Sequence, residues 1–105
     1  MVEIERIIDA IRRGMIRISD SVDEEAEAGD LTFDEIFSSV LHGEIIESYP
    51  VDKTYPGCLA FGKTFIGNPI HTAWAYNEEN EWAVLTTVYR PDPTRWINGR
   101  ERKMQ

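Results

Sequence analysis

The sequence of 105 residues has a single cysteine, Cys58, so no disulfide can form within the chain. That usage fits a reducing compartment, and a cytoplasmic location is expected. No apolar run approaches the ~20 residues that a membrane-spanning helix needs. The start, Met1-Val2-Glu3-Ile4-Glu5-Arg6, has neither the basic stretch nor the apolar stretch of a secretion signal, and none is expected. No glycine-rich phosphate loop is present. Zinc takes three or four suitable ligands, and one cysteine with two histidines, His42 and His71, offers no such set at motif spacing. No metal site and no cofactor is expected. No repeat, linker or low-complexity segment divides the chain, so residues 1–105 read as a single domain.

What is present is enough to build a core. Apolar residues make up 42% of the chain and include three Trp, four Tyr and four Phe, which argues against disorder. The net charge of −8 is unevenly placed. Residues 1–50 hold thirteen acids and four bases, a balance of −9; residues 51–105 hold six acids and seven bases, a balance of +1. A negative surface repels phosphate, so nucleic-acid binding is not expected. The one basic cluster is at the end: Arg90, Arg95, Arg100, Arg102 and Lys103.

Ile4, Ile7, Ile8 and Ile11 follow the spacing of an amphipathic helix, which Gly14 can stop. Met15 to Ser19 alternates apolar and polar residues, as a short edge strand or an extended connector would. Ser21 to Asp30 is acidic, with Ser21 placed to N-cap a short helix; it lacks the glycine and ligand spacing of a calcium loop. Thr32 and Glu35 form a capping box, Leu31 and Ile36 a hydrophobic staple, and Phe33, Ile36, Phe37, Val40 and Leu41 one apolar stripe. Gly43 ends that helix, and His42 serves its last turn. Glu44–Pro50 and Cys58–Phe65 read as strands, with a loop over residues 51–57 between them.

Ile70–Tyr76 and Trp82–Arg90 read as two long strands joined by the polar loop Asn77–Glu81. Pairing Tyr76 with Trp82 places His71, Ala73, Ala75, Ala83, Leu85, Thr87 and Tyr89 on one face. The small alanines make that face the expected seat of the helices. The predicted architecture is α+β: two or three N-terminal helices packed on one face of an antiparallel sheet of about four strands. Pro91 and Pro93 then lead the chain out of the sheet, Trp96 and Ile97 fold back, and residues beyond Gly99 form a mobile tail.

Chemistry is sparse. Cys58 and His71 lie on neighbouring strands, but no third group orients them, and a lone cysteine is more often a packing residue. The expected register sets His71 opposite Thr87 with Tyr89 on the diagonal. His71 and Tyr89 are the candidate catalytic pair; Thr87, Arg90, Arg95 and Trp96 are the candidate binding residues. Such a group suits metal-independent RNA cleavage, in which a base activates the 2′-hydroxyl and cations stabilise the phosphorane. The structural alternative is a half-buried histidine hydrogen-bonded to Thr87, and the residues alone favour it.

The segments Gly43-Glu-Ile-Ile-Glu-Ser-Tyr-Pro50, Cys58-Leu59, Pro69-Ile-His71, Thr86-Thr-Val-Tyr-Arg-Pro91 and Trp96 resemble the bacterial family called domain of unknown function 4258. The resemblance runs from about Met15 to Trp96. That family is similar to the RelE/ParE-type toxins, compact α+β proteins of which some cleave messenger RNA on the ribosome. It implies a RelE-like fold of helices followed by an antiparallel sheet, and a protein partner such as an antitoxin. Members commonly carry Ser-x-His at the start of the helix after the first strand, with an arginine further along. Here Ser19-Asp20-Ser21 and the acids of residues 22–30 stand instead, which works against phosphate binding. The expectation is therefore a toxin-like domain that binds a protein or small molecule. An active ribonuclease is the alternative, and a homodimer through an edge strand is a third course.

Overall fold

A computed structural model describes residues 1–52 and 55–104, and only the backbone of residues 51 and 52. Helix α1 (Ile4–Arg13) ends at Gly14, whose φ of +71° is the left-handed C-cap. Strand β1 (Ile16–Ile18), helix α2 (Val22–Ala28) and helix α3 (Phe33–Leu41) follow. Thr32 caps α3 as the sequence requires: its hydroxyl accepts from the Glu35 N–H at 3.1 Å, and the Glu35 carboxylate reaches back to the Thr32 N–H. Ser21 precedes α2 without a side-chain cap.

Four antiparallel strands form a meander: β2 (Glu44–Asp52), β3 (Tyr55–Lys63), β4 (Pro69–Asn77) and β5 (Trp82–Tyr89). β1 adds to β5 in parallel, so the sheet is mixed and five-stranded, in the order β1-β5-β4-β3-β2. This corrects the expected antiparallel sheet of about four strands. The alternating segment after α1 finds its partner in β5, through the Ala83 N–H to Met15 carbonyl and the Ser19 N–H to Leu85 carbonyl bonds. β3 also begins earlier than the sequence suggested and takes in Tyr55–Gly57. The β2 edge carries two register shifts and Pro50, features that blunt an edge against further pairing.

The helices pack on one face of the sheet, but not the alanine-bearing face of β4. Ile70, Thr72, Trp74 and Tyr76 of β4 meet Ala83, Leu85 and Val88 of β5 in the core with Ile7, Val22, Ile36 and Val40. The reason is area: a small domain gains more by burying Trp, Tyr and Ile than by burying alanines. Ala73 and Ala75 are left half-exposed on the far face. Close approach of α3 to the sheet comes from Gly62 instead. A Cβ there would lie 2.1 Å from the Ser39 carbonyl oxygen.

The hairpin register differs from expectation in two steps. Asn77 pairs with Trp82, so the loop is Glu78–Glu81, closed by Glu81 at φ +60°. A bulge then sets two β5 residues against Ala73 before pairing resumes at Thr87. Each step shifts the register by one, and together they restore the predicted faces at the His71 end. His71 consequently pairs directly with Tyr89 rather than with Thr87.

At its His71 end the far face is covered by the chain after β5. Trp96–Ile97 (β6) and Glu101–Arg102 (β7) form a small hairpin, with Trp96 only 6% exposed. Of the tail expected to be mobile, Arg100 and Arg102 are held there by Glu44 and Glu47, and residue 105 lies outside the described residues. No helix among the described residues is long and apolar enough to cross a membrane.

Candidate functional site

Glu44, Phe61, His71 and Tyr89 stand in one row across β2, β3, β4 and β5. His71 is wholly buried. Its Nε2 lies 2.5 Å from the Gly99 carbonyl oxygen and its Nδ1 lies 3.1 Å from the Tyr89 hydroxyl. A carbonyl only accepts, so Nε2 carries the proton. In the neutral ring Nδ1 is then the acceptor, and the Tyr89 O–H donates to it. Burial lowers the His71 pKa, outweighing the opposing pull of the Gly99 carbonyl and the Glu47 charge. Aromatic edges close the pocket around the imidazole: Trp96 at 4.5 Å and 86°, Tyr89 at 5.2 Å, Phe61 at 6.1 Å.

Gly99 is needed for this contact. Its φ is +73°, and a Cβ would stand 2.8 Å from the Phe61 ring. The glycine lets the turn of the β6–β7 hairpin approach the sheet and present its carbonyl to the histidine.

A charged layer lies beside the imidazole. Glu47 accepts from the Tyr49 hydroxyl at 2.5 Å and from Arg102 through Nε at 2.6 Å and Nη2 at 3.1 Å. The Arg102 hydrogen bond, first among several causes, holds the Glu47 carboxyl below its ordinary range. Burial, with Glu47 beside it, pushes the Tyr49 phenol up to about 12. The Arg102 guanidinium also sits 4.7 Å above the Trp96 ring, and Arg100 stacks at 4.7 Å on Phe61.

Where β5 gives way to the C-terminal segment, a cleft of about 340 Å³ opens. Its lining is Tyr89, Arg90, Asp92, Arg95, Trp96 and Arg102. Four of the six candidate residues, Tyr89, Arg90, Arg95 and Trp96, therefore meet in one place. His71 lies behind them, on the far side of the Tyr89 hydroxyl and the Trp96 ring. Thr87 does not join them: its hydroxyl donates to Glu25 Oε2 at 2.7 Å, while Glu25 Oε1 accepts the Val88 N–H at 3.2 Å. The acidic helix α2 thus uses one carboxylate to satisfy backbone beside the β5 bulge.

Arg102, Glu47, Tyr49 and Gly99 were not among the sequence candidates. Only the basic cluster at the chain end pointed toward Arg102; nothing local ties residue 102 to residue 47. Cys58 is buried, and burial pushes its thiol up to about 12, which disfavours the thiolate at neutral pH. Among the described residues, no group of three or more His, Cys, Asp or Glu gathers to hold a metal ion.

The family described as domain of unknown function (DUF4258) matches residues 18–90, which is 73 of the 105 positions. No curated protein and no solved structure matches the chain. The chain belongs to the DUF4258 family.

Proposed function

From that membership we propose that the protein is a cytoplasmic, toxin-like α+β domain that works by binding a protein or small molecule and has no catalysis of its own. One observation carries this reading. His71, the only histidine near the cleft, is wholly buried, and both its ring nitrogens are bonded within the fold. A general base must reach the proton it removes, and a neutral imidazole whose acceptor nitrogen already holds the Tyr89 hydroxyl does not. The acids that replace the family's usual histidine and arginine around α2 support the same conclusion. Likeness to the RelE/ParE-type toxins is part of the proposal; helices that precede an antiparallel meander support it.

Cleavage of RNA without a metal, by the toxin of a toxin–antitoxin pair, is the second reading. The arginines and Tyr89 in the cleft favour it, but it lacks an accessible base. Homodimerisation is a weaker route, because β2 is bulged and interrupted by Pro50 and β1 has three residues.

Induced expression in a bacterial host tests the proposal, together with incubation of the purified protein with RNA, with and without ribosomes, in chelator. The expected result is growth without arrest, intact RNA, and no RNA or DNA affinity at moderate salt. Arrest with RNA cleavage that a folded His71→Ala variant loses would overturn it in favour of the ribonuclease.

A further inference from the structure

We infer that the cleft between the end of β5 and the β6–β7 hairpin is a binding site for one small oxyanion, a phosphate or carboxylate head group. The inference rests on the binding-domain reading and names the ligand class of that site.

Three of the six lining residues are arginines, on a chain whose net charge is −8. They are not equivalent. Arg102 is neutralised by Glu47 through two hydrogen bonds. Arg90 and Arg95 form no salt bridge with an acid among the described residues. A cation normally found at an exposed position gains little from such a pair. Two arginines without a salt bridge line one concavity whose one acid is Asp92, and with Arg102 they leave a local excess of positive charge that a bound anion would neutralise.

Before any ligand arrives, Arg90 is held by its side chain and Arg95 by its backbone. Arg90 donates from Nε to the Gly29 carbonyl at 2.7 Å, which leaves its two terminal nitrogens as an open fork. Arg95 follows a turn locked by Asp92. The Asp92 carboxylate accepts the Thr94 N–H and hydroxyl, each at 2.8 Å, and its carbonyl accepts the Arg95 and Trp96 N–H groups. The Arg95 carbonyl in turn accepts the Lys103 N–H at 2.8 Å. Preorganisation of this kind reduces the ordering cost of binding.

Asp92 is the one acid in the lining. Its bonds with Thr94 keep its carboxyl below the ordinary range, so it stays charged and repels an anion on its own side. Asp92 also acts on Arg95 through space, so a bound anion competes with it for that arginine. Its charge favours a single head group over a polyanion, which would meet Asp92 and the negative charge of the first half of the chain.

The test is a titration followed by NMR, at constant ionic strength set with chloride. Inorganic phosphate and acetate are the probes in separate arms, and a short single-stranded RNA is a third. The indole N–H of Trp96 reports on the cleft, and that of Trp74, bonded to Thr72 at 2.8 Å in the core, is the control. Saturable 1:1 movement of the Trp96 signal with phosphate or acetate, with Trp74 still, is expected. The stronger arm identifies the head group. Arg95→Ala and Arg90→Ala should each weaken binding about tenfold or more, the usual scale of a charge-assisted hydrogen bond. No saturable movement in either small-anion arm would overturn the inference. So would binding that survives both substitutions, or RNA binding far tighter than either small anion. Cleavage of the RNA would instead overturn the non-catalytic reading while leaving oxyanion binding in place, so the two failures are distinguishable.

Discussion

The helix face of the sheet and the His71 end of its far face are covered by opposite means. On the helix face, apolar side chains from three helices and five strands close over Trp74, Leu85 and Val88, and the polar atoms are few and paired, as in the Trp74 N–H to Thr72 bond. On the far face, a fourteen-residue segment (91–104) does the covering with aromatic edges, two arginine–carboxylate pairs and one histidine–carbonyl bond. The first kind of cover is insensitive to pH and salt. The second consists largely of groups that titrate or are screened. The chemistry-bearing residues of this chain are therefore mostly the fastening of its C-terminal segment, and what remains free of that duty is the pair of side chains of Arg90 and Arg95.

Mutation should separate the faces. The largest effect is expected from Leu85→Ala, wholly buried beneath the helices. Loss of its methyl groups and the cavity left behind should cost about 2–5 kcal/mol, measured by denaturant unfolding. That loss should be nearly the same at pH 7 and pH 5.5.

His71→Ala comes next, at about 1–3 kcal/mol, because the Gly99 carbonyl and the Tyr89 hydroxyl lose their partner inside the fold. Here the pH profile is the sharper readout. The folded pKa of His71 lies below its ordinary value of about 6.5, so the unfolded chain takes up the proton first as pH falls. The histidine's contribution is thus fully present above about pH 6.5 and declines as pH drops below it toward the folded pKa. Wild type should lose stability across that window, and His71→Ala should flatten the loss. Glu47, also depressed, adds a second decline only as pH falls below its ordinary value of about 4.5.

The smallest effect is expected from Arg102→Ala. The pair is unequal in exposure, with side chains 63% exposed for Arg102 and 22% for Glu47. A loss of about 1 kcal/mol or less in global stability is expected. Hydrogen exchange should nevertheless accelerate at the backbone amides of Trp96 and Lys103, which hold the small hairpin, while those of β4 stay protected. Equal acceleration in β4 would mean that the two faces are not independently secured.

Legibility in the sequence followed the range of the interactions. The α3 capping box, the α1 stripe and the Gly14 stop are local, set by residues within one or two turns, and each is where the sequence placed it. The β4–β5 hairpin was legible as a pair of strands but not in register; at the bulge opposite Ala73, Thr87 and Val88 bond to Glu25, sixty-two residues from Thr87. Tyr89, Arg90, Arg95 and Trp96 were legible as a group because they are close in sequence at the end of a strand. The Glu47–Arg102 pair and the Gly99 carbonyl were not, since their partners come from strands that only the fold brings together. The choice of helix-bearing face turned on buried area, which a rule favouring small residues inverted.

The central claim is that His71 fastens the C-terminal segment and does not act on a substrate. The most direct measurement is an NMR titration of the His71 imidazole, with assignment of its tautomer by nitrogen shifts. The account predicts a neutral ring protonated at Nε2, with slow solvent exchange and a titration midpoint below the usual histidine value. A ring that titrates at or above about 6.5, exchanges freely with solvent and shows the Nδ1–H tautomer would contradict it.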